Sequence, residues 1–389
     1  MRQPLFPSHL TLFSYLTIIE KMKTAIIHDY LNQYGGAERV LETLLEIYPG
    51  ADVYTLLYDK KQMPESIKKA NIKSSFLGRF PFSKFYYEYL LPFYPIAVET
   101  FDTRKYDLVI SNSSAWSKGV ITNVSTCHIV YCLNPMRFVW DSYFSVIKKN
   151  GIVSRTLRII LHHIRMWDEI SSKRGYRYVA ISENVRHRIK KHYDIESDVI
   201  HPPVDTDFFV PDFKKRQEEF YLIVSRLKAY KRIELAIETF NELKKPLIII
   251  GDGSHYNYLK SISDRNIQFM RNIDDEKLLS YYQRCRAVIF PQVEDFGIVP
   301  LEAQACGKPV IAFKSGGALE TIEDKKTGIF FCEQSKESLI SAVTEFEKYT
   351  FDNESIRSHA LLFSKSVFKK KFLEKANEIY SDYRREMNL

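Results

Sequence analysis

Two carboxylates eight positions apart, Glu294 and Glu302, bracket a glycine in the stretch EDFGIVPLEAQACGKPVIAF. A carboxylate accepts paired hydrogen bonds from the vicinal hydroxyls of a sugar, and Gly297 leaves backbone N–H groups open to a phosphate. A second stretch, SRLKAYKRIELAIETF, brings Arg226 and Lys231 to the start of a helical pattern, with Lys231 and Arg232 opening the helix. Cations there oppose the helix macrodipole, a small cost unless an anion is recruited, so Arg226 and Lys231 are candidates for a diphosphate clamp. A third, HDYLNQYGGAER, sets Gly35 and Gly36 between a strand and a helix, where missing side chains let backbone amides approach a ligand. Each stretch also has a plainer reading. Glu302 stabilises a helix dipole by ~0.3–1 kcal/mol, the cations are solvated, and the glycine pair is a tight turn.

The elements that must position these residues follow from hydrophobic pattern. From Lys23 onward short β-branched runs alternate with helical stripes, as in a parallel sheet covered by helices. TAIIHDY predicts a first strand, and Val40, Leu41, Leu44, Leu45 and Tyr48 the inner face of the helix after it. YDLVISNSS, HIVYCL and YRYVAIS continue the sheet. Pro202, Pro203 and Pro211 then stiffen a connection, after which the alternation restarts with FYLIVSR, LIIIGDG, IQFM, AVIFPQ and PVIAF.

The expected architecture is α/β, with two doubly wound, Rossmann-like domains facing a cleft. The divisions are an N-terminal extension over 1–21, a first domain over 22–203, a second over 204–363, and a C-terminal helix over 364–389 that caps the second domain or crosses back to the first. Ligands of such sheets bind beyond the carboxyl ends of the strands. AVIFP therefore puts Glu294 at a strand mouth, Pro300 at the first helical position and Glu302 in the first turn, both carboxylates facing one crevice.

The chain's 389 residues suit two domains, and 45% hydrophobic with 27% charged residues excludes disorder. A formal charge of +8 favours anionic partners, but the cations cluster by loop and no nucleic-acid module is recognisable, which argues against a nucleic-acid binder. Five cysteines without zinc-type spacing suit a reducing cytoplasm. The early run LTLFSYLTII is too short to span a bilayer and lacks a cleavage site after it; because TAIIHDY follows Lys21-Met22-Lys23 at once, Met22 is read as the true start and residues 1–21 as an upstream extension, with a short membrane-surface helix as the second reading. Between Lys68 and Lys84 the cations Lys68, Lys69, Lys73, Arg79 and Lys84 interleave with Phe76, Phe80 and Phe82 without an acid. Two readings stand equal there: contact with an anionic lipid surface, and a solvated helix with inward aromatics.

Taken together, GGAER, SRLKAYK, GDG and EDFGIVPLEAQACGKPVIAFKSGGALET resemble the retaining, nucleotide-sugar-dependent GT-B glycosyltransferases of family four, in the family's order and from about Lys23 to the end. More narrowly, YCLNPMRFVWD, IRMWDEISSKR and VIHPPVDTDFF are similar to bacterial mannosyltransferases that build O-antigen and related surface polysaccharides. The resemblance implies GDP-mannose as donor, with a UDP-sugar as the alternative, and a lipid-linked saccharide acceptor at the inner face of the cytoplasmic membrane. It implies that Arg226 and Lys231 neutralise the donor diphosphate, Glu302 holds the ribose hydroxyls, Glu294 contacts the transferred sugar, Gly297 and Ile298 offer amides to phosphate, and the Gly35–Gly36 loop closes over the donor. Asn134 and Arg137 fall near sugar or acceptor. Many relatives carry histidine in a YCHTPMR segment where this chain has Leu133 and Asn134, so Asn134 offers only neutral hydrogen bonds.

Front-face substitution, the mechanism usually described for this fold, needs neither metal nor other cofactor, and Asp205 and Asp207 of DTD are read as turn and cap residues. A non-catalytic sugar-nucleotide-binding protein would need Arg226, Lys231 and Glu302 but not Glu294. All four are present, which favours an enzyme.

Overall fold

Nearly every side chain of Thr24–Leu31, Leu108–Ser113 and Cys127–Cys132 is buried, as required of strands covered on both faces of a parallel sheet. The computed structural model describes residues 22–79, 87–147, 152–212, 214 and 217–389. They form two compact units. The first holds the described residues up to Ile181, Val185–Ile200 and Lys369–Leu389; the second holds Ser182–Asn184 and His201–Phe368.

In the first unit β1 (Thr24–Leu31), β2 (Asp52–Tyr58), β3 (Asn71–Ser74), β4 (Leu108–Ser113), β5 (Cys127–Cys132), β6 (Arg177–Ala180) and β7 (Ser197–Val199) form a parallel sheet of order β3-β2-β1-β4-β5-β6-β7. In the second, β8 (Tyr221–Val224), β9 (Leu247–Ile250), β10 (Ile267–Met270), β11 (Ala287–Phe290), β12 (Val310–Phe313) and β13 (Gly328–Phe331) form a parallel sheet of order β10-β9-β8-β11-β12-β13. Chain order reverses between β1 and β4 and again between β8 and β11. Each reversal opens a crevice beyond the strands' carboxyl ends.

The expected strands all form, and β2, β3, β7 and β13 join them without having been anticipated. Helix α1 (Gly36–Ile47) follows β1 and buries Val40, Leu41 and Leu44 as its spacing predicts. In the first unit α2 (Ile152–Ser172) packs through Leu161 and Ile164. In the second, α3 (Ile233–Leu243) sets Ile233, Ala236, Ile237 and Phe240 into a core shared with Leu227, Leu339 and Val343. Burying each of the larger aliphatic side chains fully is worth ~1.5–3 kcal/mol, enough to hold the start of α3 rigidly behind β8. The fourth helix used below, α4 (Ile298–Ala305), follows β11.

The long final helix, α5 (Lys365–Glu386), belongs to the first unit from Lys369 onward. There Phe372 meets the Tyr131 ring with centroids 5.6 Å apart, and the Tyr383 hydroxyl donates to the Val124 carbonyl at 2.7 Å.

The basic aromatic segment after Lys68 is not the solvated helix considered for it. It contains edge strand β3 and a single turn over Phe76–Arg79, while residues 80–86 lie outside the described residues. Lys73 is drawn to Asp52 at 2.7 Å and Lys68 to Glu65 at 2.9 Å, so two of its cations already have acids. Among the described residues no helix is long and apolar enough to cross a membrane.

Candidate functional site

The chemistry-bearing residues of the second unit come from the two loops on either side of its strand-order reversal. β8 ends at Val224 and leads into Arg226, which is exposed; β11 ends at Phe290 and leads into Glu294. Between β8 and α3 the chain makes a 3-10 turn over Ala229–Lys231, then places Arg232 in the left-handed region at φ 55° as the cap of the helix. Lys231 and Arg232 therefore do not open α3, as the sequence suggested; Lys231 closes the turn before it. A left-handed arginine costs ~1–2 kcal/mol, and the buried start of α3 supplies it.

The resulting turn brings the ammonium of Lys231 onto the carboxylate of Glu294, sixty-three positions away. The lysine side chain is 9% exposed and the glutamate 24%. They form a half-buried ion pair at the mouth of the sheet.

Helix α4 begins at Ile298, two residues before the expected start at Pro300. Gly297 takes φ 97° as its cap, a conformation that favours glycine, and no side chain caps the helix. Pro300 is thus the third residue, where the missing N–H is one that would have had no partner within the helix. The outer amides of this first turn remain available to an anion. Glu302 accordingly falls in the second turn, not the first, and is 3% exposed, with its Oε2 accepting from the buried Tyr282 hydroxyl at 2.8 Å. Helix-dipole stabilisation, which fades beyond the first turn, does not account for a carboxylate held there.

Three groups absent from the sequence reading hold this loop and helix. Tyr282 positions Glu302. Arg357 donates to the Ala305 carbonyl at 2.6 Å, closing the far end of α4. Gly317 donates its N–H to the Glu294 carbonyl at 2.9 Å, and a Cβ on Gly317 would lie 2.1 Å from the Phe296 carbonyl oxygen. The SGG after β12 carried a signal for this close approach, whereas Tyr282 and Arg357 carried none.

The first unit uses its strand-order reversal differently. Asp29 of β1 accepts from the backbone amides of Ser114, Ala115, Trp116 and Ser117 and from the Ser114 hydroxyl, all at 2.7–2.9 Å. A side chain of the protein occupies the nest that the loop after β4 creates. Gly35 caps α1 in an extended conformation, and a Cβ there would meet only Glu38 at 3.4 Å, so packing does not demand the glycine; Gly36 is the first residue of α1. Nearby, Asn112 donates to Nδ1 of His28 at 3.1 Å, which leaves Nε2–H of that ring to face buried Glu38 at 3.3 Å.

Asn134 accepts from the Arg188 guanidinium at 3.1 Å, and the Arg137 carbonyl accepts from Ser142 at 2.8 Å. Asp205 caps a turn by accepting from the Phe208 amide at 3.1 Å and pairs with Lys365 at 2.5 Å, while Asp207 is exposed.

Two parallel Rossmann-like sheets, each with a crevice at its strand-order reversal, are the architecture of the GT-B fold. Residues 34–208 match the model for glycosyltransferase family 4 and residues 205–360 that for glycosyl transferases group 1, and the chain belongs to this family. It is 25% identical over 373 residues to the alpha-1,3/1,6-mannosyltransferase ALG2 of Saccharomyces cerevisiae, covering 79% of this chain and 73% of that one. It is 32% identical over 170 residues to the GDP-mannose-dependent alpha-(1-6)-phosphatidylinositol monomannoside mannosyltransferase of Mycolicibacterium smegmatis, covering 36% of this chain and less than half, 44%, of that one. Among solved structures, the sucrose-phosphate synthase of Thermosynechococcus elongatus shares the fold with a TM-score of 0.71 at 16% identity, over 92% of this chain and 100% of that one.

Proposed function

We propose that the protein transfers mannose from GDP-mannose, with retention of configuration, to a lipid-linked oligosaccharide during assembly of a bacterial surface polysaccharide such as O-antigen, on the cytoplasmic side of the membrane. The observation that carries the reading is the meeting of Lys231 and Glu294 beside the uncapped start of α4. A nucleoside diphosphate sugar offers what each partner lacks: phosphate oxygens for the ammonium and amides, sugar hydroxyls for the carboxylate.

On donor binding Lys231 exchanges Glu294 for the diphosphate, Arg226 and the amides of Gly297 and Ile298 share that charge, and Glu294 turns to the sugar. Glu302, steadied by Tyr282, takes the ribose hydroxyls. The sugar C1–O bond to the diphosphate then breaks while the acceptor oxygen bonds to C1 on the same face, and the departing phosphate oxygen takes the acceptor's proton. The protein's part is orientation and stabilisation of the leaving charge. In this account the chain's own cations and amides do the work of a metal, so turnover undiminished in excess chelator is expected and abolished turnover refutes it.

Mannose is favoured by the names of the yeast and mycobacterial relatives, and a lipid acceptor by the phosphatidylinositol in the latter. A thermal-shift panel with GDP, UDP, ADP and their sugar conjugates tests the donor, since a ligand at about 100 times its Kd adds ~2.7 kcal/mol of stability. A shift with GDP and GDP-mannose alone supports the proposal, and a shift confined to UDP compounds discards mannose. Release of free nucleotide without a new glycoside would discard transfer itself.

A further inference from the structure

Helix α2, Ile152–Ser172, carries a second apolar face that no contact among the described residues covers. Its inner face buries Leu161, Ile164 and Asp168. On the opposite side Ile159, Met166 and Ile170 are 60%, 48% and 64% exposed. At 3.6 residues per turn these three fall within about 40° of arc, pointing away from the core. A helix on a globular surface needs one apolar stripe, and a second marks an interaction surface.

The neighbours of the stripe have one dominant sign. Arg155 and Arg158 are exposed beside it, against one exposed acid, Glu169, and the exposed His162 and His163 add no negative charge. The other carboxylate of this stretch, Asp168, is buried against Lys118. Just before α2 the short helix Tyr143–Val146 holds Phe144 at 87% exposure, and the Arg165 guanidinium, 4.5 Å from the Tyr143 ring centre, ties that helix to α2.

We infer that this face of α2 docks the protein onto an anionic lipid bilayer, the helix lying in the headgroup plane with Ile159, Met166, Ile170 and Phe144 inserted. Apolar residues at helical spacing with arginines on their flanks suit that interface. A second copy fits less well, because a symmetric contact would bring two sets of like charge together with only Glu169 to offset them. The surface rests on exposure and charge and does not depend on the identity of the donor. It also moves the lipid contact away from the segment after Lys68, where Lys68 and Lys73 are already paired with acids.

The test is co-sedimentation of the full chain with vesicles of phosphatidylcholine and phosphatidylglycerol in equal parts, and with phosphatidylcholine alone. Wild type is expected to sediment with the first and not the second. The triple variant Ile159→Gln, Met166→Gln, Ile170→Gln, made only at exposed positions, should lose binding by about tenfold or more with circular dichroism and melting temperature unchanged. A second variant, Arg155→Gln with Arg158→Gln, should bind more weakly and with a shallower dependence on salt. Vesicle binding by the triple variant equal to wild type overturns the inference, as does equal binding to neutral vesicles. Failure of wild type to sediment overturns it too, while product analysis still tests glycosyl transfer separately. A wild-type dimer that the triple variant dissociates, without vesicle binding, would assign the face to a second copy.

Discussion

Replacing Lys231 with alanine separates the structural from the chemical work of the Lys231–Glu294 pair. In the free protein the substitution leaves the Glu294 carboxylate, 24% exposed, without its ammonium. The loss lies between that of an exposed pair, ~0.2–1 kcal/mol, and the ~3–5 kcal/mol of breaking a fully buried one. About 1–2 kcal/mol is expected from denaturant unfolding of Lys231→Ala. In the proposed reaction the same lysine faces the departing diphosphate, where losing one stabilising contact costs ~3 kcal/mol, or about a hundredfold at saturating donor. Glu294→Gln and the double variant complete a cycle. Stability should be strongly non-additive, because the two side chains touch in the free protein. Turnover should show a different coupling if, as proposed, one meets phosphate and the other sugar in the donor complex. Lys231→Ala with wild-type turnover at saturating GDP-mannose would refute the assignment. Equal coupling energies in stability and turnover would show that the pair never opens and is structural only.

Tyr282→Phe removes the bond to Glu302 and should raise the donor KM by about tenfold with little change in kcat; an unchanged KM would separate Glu302 from the nucleotide. Gly317→Ala would press a methyl group into the Phe296 carbonyl, costing ~1–3 kcal/mol in denaturant unfolding and displacing Glu294, so unaltered stability would contradict the close approach. Burial pushes the His128 pKa down to about 4. Between that value and ~6.5 the unfolded chain takes up a proton that the folded chain refuses, so stability should fall by up to ~3 kcal/mol as pH drops through this window, and His128→Gln should flatten the slope. Burial also raises the thiol pKa of Cys127, Cys285 and Cys306, whereas Cys332 is exposed, so a thiol reagent should modify Cys332 first in the native protein.

The strands legible in the sequence were those whose burial on both faces forces continuous β-branched runs, such as LIII of β9 and VIAF of β12. β2, β3 and β7 mix Asp, Tyr, Asn, Lys and Ser into short runs, and only pairing with neighbours makes them strands. The same divide runs through the site. Arg226, Lys231, Glu294 and Gly297 could be chosen by residue type and by position after a strand. That Lys231 touches Glu294 could not be read, because contact across sixty-three residues depends on β8 and β11 lying side by side, and on a left-handed Arg232 that no glycine announces. Asp29 was invisible for the same reason: its partners lie eighty-five to eighty-eight residues away.

Six strands of the first sheet follow the same order as the six of the second, and the two put the crevice of that order to opposite uses. In the first, Asp29 satisfies four consecutive amides with an anion fixed to the chain, which locks the loop after β4 and leaves that nest filled by the protein. In the second, the comparable place holds a lysine and a glutamate whose bond is partly exposed to water, beside a helix start without a side-chain cap. A carboxylate held by five donors is not displaced by a ligand at ordinary cost, since each bond lost would have to be replaced. A single half-buried ion pair is displaced readily by a diphosphate, which brings more charge to the lysine than one glutamate does and leaves that glutamate free to accept from hydroxyls. The difference between a structural anion and an exchangeable one is the physical reason the proposed function places donor binding in the second unit, although both sheets were built by the same alternation of strand and helix.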